Sequence, residues 1–361
     1  MNKQVSAMKG AGNGARHDGE HDDYPHGHAH GHAHGVRPTM KDVASRAGVA
    51  LKTVSRVVNG EPGVTRETTE RVLGAIENLG FRRNESARLL RTGRTATLGF
   101  IAGSWADPDC AALYRGLEEV AGAHGYLLYV GSADGDAPRE ERLTLAMCAR
   151  RVDGLIITPA MGSHEYLVPE IEAGVATVFV MRPPAIAAGD TVLAADTVLP
   201  DERGGGRAAV AHLIAQGHRQ IGFLGASPQL LAGYAEAMRA AGLTADPAWT
   251  TLDASELDRA GVTALLCGDR TRTQAALRVL TRLGRLSGAS RMAVIGFGDF
   301  ELADLFSPGL TMVSYDPVLI GRTAGELLVR RLTDDQAPPR TIEVPIRLFA
   351  RGSAEFPPDG S

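Results

Sequence analysis

The chain has 361 residues, 44% hydrophobic and 22% charged, a balance that supports buried cores of ordinary size in two or three domains. Its three cysteines, Cys110, Cys148 and Cys267, lie far apart, and no stretch reads as an apolar leader or a long apolar run. These features argue against a disulfide scaffold, a secreted precursor or a membrane protein, and set the expectation of a cytoplasmic, nucleoid-associated chain.

The net charge of −4 is informative only once it is divided: Arg37–Arg94 carries 12 Lys and Arg against 6 Asp and Glu. A basic module on an acidic remainder is the asymmetry expected when one segment meets a polyanion. Residues 1–36 are rich in Gly, His and Asp and predict a disordered tail. Within it His26, His28, His30, His32 and His34 alternate with small residues. Imidazoles at that spacing could take zinc or nickel, but the glycines fix no geometry, so a solvated low-complexity tail is the preferred reading and no cofactor is expected.

The basic module reads as helices. Thr39 is placed to cap a first helix with Asp42 in its first turn, and Met40, Val43, Ala44 and Ala47 share one face. Gly48 breaks it, Val49 plugs the turn, and a second helix over Leu51–Asn59 buries Val54, Val57 and Val58. A third helix fits 65–79, with Val72, Leu73, Ile76 and Leu79 inward, ended by Gly80. Two short helices joined by a tight turn and braced by a third form a helix-turn-helix. The outer face of the second helix offers Leu51, Lys52, Thr53, Ser55 and Arg56. In such a motif these residues face the major groove, where an arginine can hold guanine O6 and N7 bidentately. Residues 84–94 then bring Ala87, Leu89 and Leu90, with Arg82, Arg83, Arg88, Arg91 and Arg94 around them. This is a poor helix alone, but a plausible minor-groove wedge when paired with a second copy on DNA.

From Thr97 onward, apolar runs of four to eight residues alternate with amphipathic helical stretches, beginning with 97–103, 126–131 and 154–160 and ending with 292–299. That alternation implies buried parallel strands in βαβ units, with two doubly wound subdomains. His212 and His218, in a helix and its cap, read as structural. No P-loop, nucleophile elbow or zinc-hydrolase motif is present, so no enzyme is expected.

The continuous pattern T-x-x-D-V-A-x-x-A-G-V-x-x-x-T-V-S-R-V-x-N from Thr39 to Asn59 resembles the DNA-binding head of the LacI/GalR repressors, and similarity extends to about Gly352. The resemblance implies a helix-turn-helix head at 37–83, a hinge at 84–95 and a periplasmic-binding-protein-like core at 96–352, followed by a tail at 353–361. It implies subdomains of about 96–160 with 316–338 and about 161–315 with 339–352, joined near 159–162, 313–317 and 338–343. It marks Leu51, Lys52 and Arg56 as base-reading positions, keeps Asn59 in the motif, and places Leu90 where the family's hinge leucine enters the minor groove, with Ala87 on the same face.

The cleft departs from the family pattern. Asp107-Pro108-Asp109-Cys110 lacks the usual aromatic pair, Leu230 stands in place of a sugar-gripping Arg, and Gly298 replaces the first acid of the family's G-F-D-D. The segment between Trp249 and Thr263 is shorter by about one helix. The remaining effector candidates are Asp107, Arg182, Trp249, Asp269 and Asp299, with Asp201 favoured over Asp196 as the family's strand-end acid. The expected function is a DNA-binding regulator, acting as a repressor on operator DNA as a homodimer. A small effector such as a sugar or related metabolite binds between the subdomains; in the alternative, the core has lost sensing and serves dimerisation or partner docking.

Overall fold

The computed structural model describes residues 38–82, 94–186, 193–288, 290–333 and 337–358, divided by internal contacts into Met1–Asn84 and Glu85–Ser361. The first unit contains helices α1 (Met40–Ala47), α2 (Leu51–Asn59) and α3 (Arg66–Leu79). Thr39 and Asp42 form a reciprocal capping box on α1. Gly48, at φ 64°, takes the left-handed conformation that the turn requires. Val43, Val54 and Val72 are fully buried where the three helices meet. The inward stripe of α3 is Val72, Ala75, Ile76 and Leu79, while Leu73 is 52% exposed. Leu73, expected inside, lies about 100° round the helix from Val72, off the 3.6-residue stripe.

In the second unit the chain order is β1 (Thr97–Ala102), α4 (Pro108–Ala123), β2 (Leu127–Ser132), α5 (Ala137–Ala149), β3 (Gly154–Ile157), α6 (Val168–Glu172), β4 (Ala176–Val180) and β5 (Asp196–Pro200). There follow α7 (Glu202–Ala215), β6 (Ile221–Leu224), α8 (Pro228–Ala240), α9 (Pro247–Thr250), β7 (Ala264–Cys267), α10 (Arg270–Arg282), β8 (Ala293–Phe297) and β9 (Thr311–Ser314). The described chain closes with α11 (Pro317–Thr333), β10 (Thr341–Val344) and β11 (Arg347–Phe349). One sheet runs β10-β5-β4-β3-β1-β2, all parallel. The other runs β11-β9-β8-β7-β6, with only β11 antiparallel.

Sheet membership corrects the expected subdomain boundaries. β4 and β5 pair into the first sheet, so the chain first crosses at the β5–α7 junction near 200–202 rather than at 159–162. It returns between β9 and α11 and crosses last between β10 and β11, a few residues beyond 338–343. Each subdomain is tied by a helix pair at backbone contact. A Cβ on Gly321 of α11 would stand 2.0 Å from the Leu113 carbonyl of α4, and one on Gly233 of α8 would stand 2.0 Å from the Arg203 carbonyl of α7. Only glycine permits that approach.

The segment from Ser353, expected as a tail, is docked. Ala354 and Phe356 are buried in the second core, and Ser353 donates to the Val294 carbonyl at 2.6 Å. The two helix histidines hold it: His212 Nε2 lies 2.6 Å from Glu355 Oε1, and fully buried His218 contacts the Phe356 carbonyl at 3.0 Å. Their structural role follows from these contacts.

In the first subdomain, Glu140 and His164 form a buried ion pair, 1% and 2% exposed, with Oε1 and Nε2 3.0 Å apart. Tyr166 donates to Glu140 Oε1 at 2.8 Å and the Ala160 amide to Oε2 at 2.5 Å. Burial pushes the Glu140 carboxyl up, but His164, the Ala160 amide and Tyr166 outweigh it and hold it below the ordinary 4.5. Burial pushes His164 down, and Glu140 with the Ala185 carbonyl outweighs it, leaving it above 6.5. A lowered carboxyl stabilises the fold above its unfolded pKa and loses that effect as pH falls through its folded value; a raised histidine stabilises below 6.5 and loses the effect as pH rises through its folded value. Urea midpoints should therefore peak between these limbs. Glu140→Gln should flatten both and cost about 3–5 kcal/mol, the scale for removing one partner of a buried pair.

Candidate nucleic-acid interface and core cleft

The α2 helix turns Val54 fully inward, leaving Leu51 and Lys52 exposed and Thr53, Ser55, Arg56 and Asn59 half-buried. Asn59 Nδ2 donates to Ser55 Oγ at 3.3 Å and to Glu61 Oε1 at 3.0 Å, which fixes the last turn of the helix. A Cβ on Gly63 would lie 3.9 Å from the Arg56 guanidinium, so Arg56 runs beside the turn after α2. Leu51, Lys52, Thr53, Ser55 and Arg56 thus share one solvent-facing side of a short, capped helix. Ala87, Leu90 and the five tail histidines lie outside the described residues.

In the core unit, the carboxyl ends of β1 and β7 bring two helix starts together across the cleft. Arg270, the first residue of α10, donates from Nη1 to Asp107 Oδ1 at 3.1 Å and from Nη2 to Asp109 Oδ1 at 3.0 Å. Nη2 also donates to the Asp299 carbonyl at 3.0 Å. Tyr315, in the crossing between β9 and α11, packs against both cores and donates from its hydroxyl to Asp109 Oδ2 at 2.8 Å. Burial, then Asp109, pushes the Tyr315 phenol well above 10, so it stays a donor at any working pH. In the second subdomain, a cavity of about 520 Å³ is lined by Phe223, Ser227, Leu231, Thr251, Leu252 and Arg272, among others. It opens where the segment between Thr251 and Thr263 contains only one 3₁₀ turn, Ala254–Glu256.

Residues 39–84 match the family described as bacterial regulatory proteins, lacI family, and residues 210–354 match the periplasmic binding protein-like domain. The HTH-type transcriptional regulator CelR of Thermobifida fusca is 32% identical over 342 residues, covering 88% of this chain and 98% of that protein. The chain belongs to the lacI family of bacterial regulatory proteins. The HTH-type transcriptional repressor PurR of Erwinia tasmaniensis is 31% identical over 339 residues, 87% of this chain and 96% of its own. A structure titled as a CelR–cellobiose complex superposes with a TM-score of 0.61 at 30% identity, over 88% of this chain and all of that one. The lac repressor dimer bound to operator and the anti-inducer ONPF gives a TM-score of 0.74 at 23% identity, over 89% of this chain and all of that one, a likeness of fold. This lacI-family protein is therefore a DNA-binding transcription regulator with a helical head and a core of two mainly parallel sheets. Among the described residues no helix is long and apolar enough to cross a membrane.

Three of the cleft candidates meet at one corner of this lacI-family core. Asp107 takes Arg270 directly, Asp299 offers it a carbonyl, and Asp269 immediately precedes it. The carboxylates of the last two are engaged elsewhere: Asp269 caps α10 and pairs with Arg272, and Asp299 pairs with Arg351 at 2.6 Å. The other candidates stand apart. The Trp249 indole packs in the second subdomain and donates to the Ala260 carbonyl at 3.0 Å. Arg182 is exposed after β4. Asp201 caps α7 at the Gly204 amide, 2.7 Å away. Asp196 is buried against Arg331 and unavailable to a ligand.

Asp109, Arg270 and Tyr315 are the residues that sequence reasoning missed, together with Trp105. That indole is 44% exposed and packs edge-on against Phe100 and Tyr114. The departure of 107–110 from the family pattern was the signal that pointed to Asp109; Arg270 and Tyr315 had none at short range. Tyr315→Phe removes the donor to a half-buried carboxylate and should lower core stability by about 1–3 kcal/mol in urea titration of the full chain. An unchanged midpoint would show that water replaces the hydroxyl without cost.

Proposed function

We propose that this chain is a repressor that binds operator DNA as a homodimer and is controlled by a small molecule bound in the core cleft. The observation that carries the DNA reading is the solvent-facing side of α2, with Lys52 and Arg56 on a helix whose opposite side buries Val54. In this arrangement Arg56 and Leu51 address base edges, Thr53 and Ser55 address phosphates, and Lys52 reaches either. Asn59 holds the end of the helix through Ser55 and Glu61. Ala87 and Leu90 of the hinge would enter the minor groove.

Two heads at fixed spacing require two cores. Exposed apolar side chains on both subdomains, Leu127, Tyr129 and Val130 on one and Leu302, Leu305 and Phe306 on the other, support pairing with a second copy. A relative solved in complex with cellobiose supports a small-molecule site in the core. The cross-cleft contacts of Arg270 favour a core whose subdomain angle can be shifted by a ligand over one that only dimerises.

Selection from a random duplex pool with the full chain should return a pseudo-palindrome. Arg56→Ala should lose about 1–3 kcal/mol and relax the choice at one base pair per half-site. Lys52→Ala should reduce the salt slope by about one if it meets a phosphate, and relax specificity if it meets a base. Wild-type affinity and selectivity in Arg56→Ala would overturn the reading. Leu305→Asp should yield monomers in sedimentation analysis and weaken duplex binding, because only one half-site is then held at a time.

A further inference from the structure

We propose that the cleft is built to take a cationic metabolite, an amine or guanidine, and that Arg270 is the internal cation that occupies its receptor until one arrives. The inference rests on the reading of the cleft as a ligand site and narrows its ligand class. Three acceptors from both subdomains converge on one guanidinium: Asp107 Oδ1 at 3.1 Å, Asp109 Oδ1 at 3.0 Å and the Asp299 carbonyl at 3.0 Å. Arg270 and Asp109 are each 19% exposed at the side chain, so this charge is largely withdrawn from water. Tyr315 holds the second oxygen of Asp109 at 2.8 Å, and the Asp109 amide donates to Asp107 Oδ1 at 3.1 Å. The acceptors are therefore fixed in place, as a receptor requires.

Charge decides the class of ligand. Two carboxylates face one guanidinium, and the neighbouring acids have other counter-ions, Asp269 with Arg272 and Asp299 with Arg351. A neutral polyol that displaced Arg270 would leave the Asp109 carboxylate, 19% exposed, without a counter-charge, a penalty that hydroxyl groups do not repay. A ligand that brings its own ammonium or guanidinium replaces like with like and releases Arg270 to solvent. Trp105, 44% exposed two residues before Asp107, adds an aromatic ring to the same five-residue segment, and aromatic rings attract organic cations. Because Arg270 bridges the subdomains, its displacement also removes a tie that holds them together. Ligand entry and the change in cleft angle thus become one event.

The test is calorimetric titration of the full-length protein with agmatine, putrescine, cellobiose and citrate at constant ionic strength, with thermal unfolding as a check on each variant's fold. Agmatine or putrescine should bind the wild type. Arg270→Gln, which removes the internal competitor, should tighten that binding roughly tenfold, because the competent fraction rises. Asp109→Asn, which keeps the acceptor for Tyr315 and removes the charge, should weaken it by a similar factor. A merely structural role for Arg270 would weaken every probe in Arg270→Gln instead of tightening the cationic ones. Binding of cellobiose or citrate where the amines do not bind overturns the cationic class and leaves the sensing cleft standing. Failure of all four probes, with duplex binding intact, overturns both.

Discussion

A single guanidinium fastened to two carboxylates joins the halves of the core. The contact spans more than 160 residues of sequence and depends on two features of the fold. Parallel strands place β1 and β7 with their carboxyl ends toward the same cleft, which is where α/β folds gather their ligand-binding loops. Each of these strands leads into a helix whose start carries the charged groups, Asp107 as cap and Asp109 in the first turn of α4, and Arg270 as the first residue of α10. An ion pair that is partly withdrawn from water gains from low dielectric but costs desolvation, so it is a poor source of stability and a good two-state element. The central crossing strengthens this. Tyr315 packs on both cores and donates to Asp109, which ties the crossing segment to that carboxylate.

What was legible in the sequence was what is decided locally. The head could be read residue by residue because a capping box at Thr39 and Asp42, a left-handed glycine at 48 and the Val43–Val54–Val72 contacts all follow from spacings of a few residues. Even there, Leu73 and Ala75 exchanged places, since a leucine next to the inward stripe looks more buried than an alanine within it. The alternation of strands and helices in the core was equally plain, whereas the assignment of strands to sheets was not. β4 and β5 carry the same apolar signature as β6 and β7, and which sheet a βα unit joins is settled by tertiary packing. The 353–358 segment looked like a tail because it is short, polar and proline-containing. It docks because Phe356 finds an apolar site and His212 and His218 supply its polar partners.

The three departures from the family's cleft pattern have a common physical meaning. Leu230, where the family has an arginine, is fully buried in the second core. Gly298, in place of the first acid, sits at φ 81°, a conformation that L side chains rarely adopt. Asp299 itself has gone to Arg351. The carboxylates of Asp269 and Asp299 are thus engaged within the fold, while the opposite wall carries Asp109 and Trp105. This arrangement fits the cationic site proposed above better than a core without a ligand. Loss of sensing would not leave three acceptors converging on one cation at hydrogen-bond distance, or a tyrosine at the crossing to hold one of them in place.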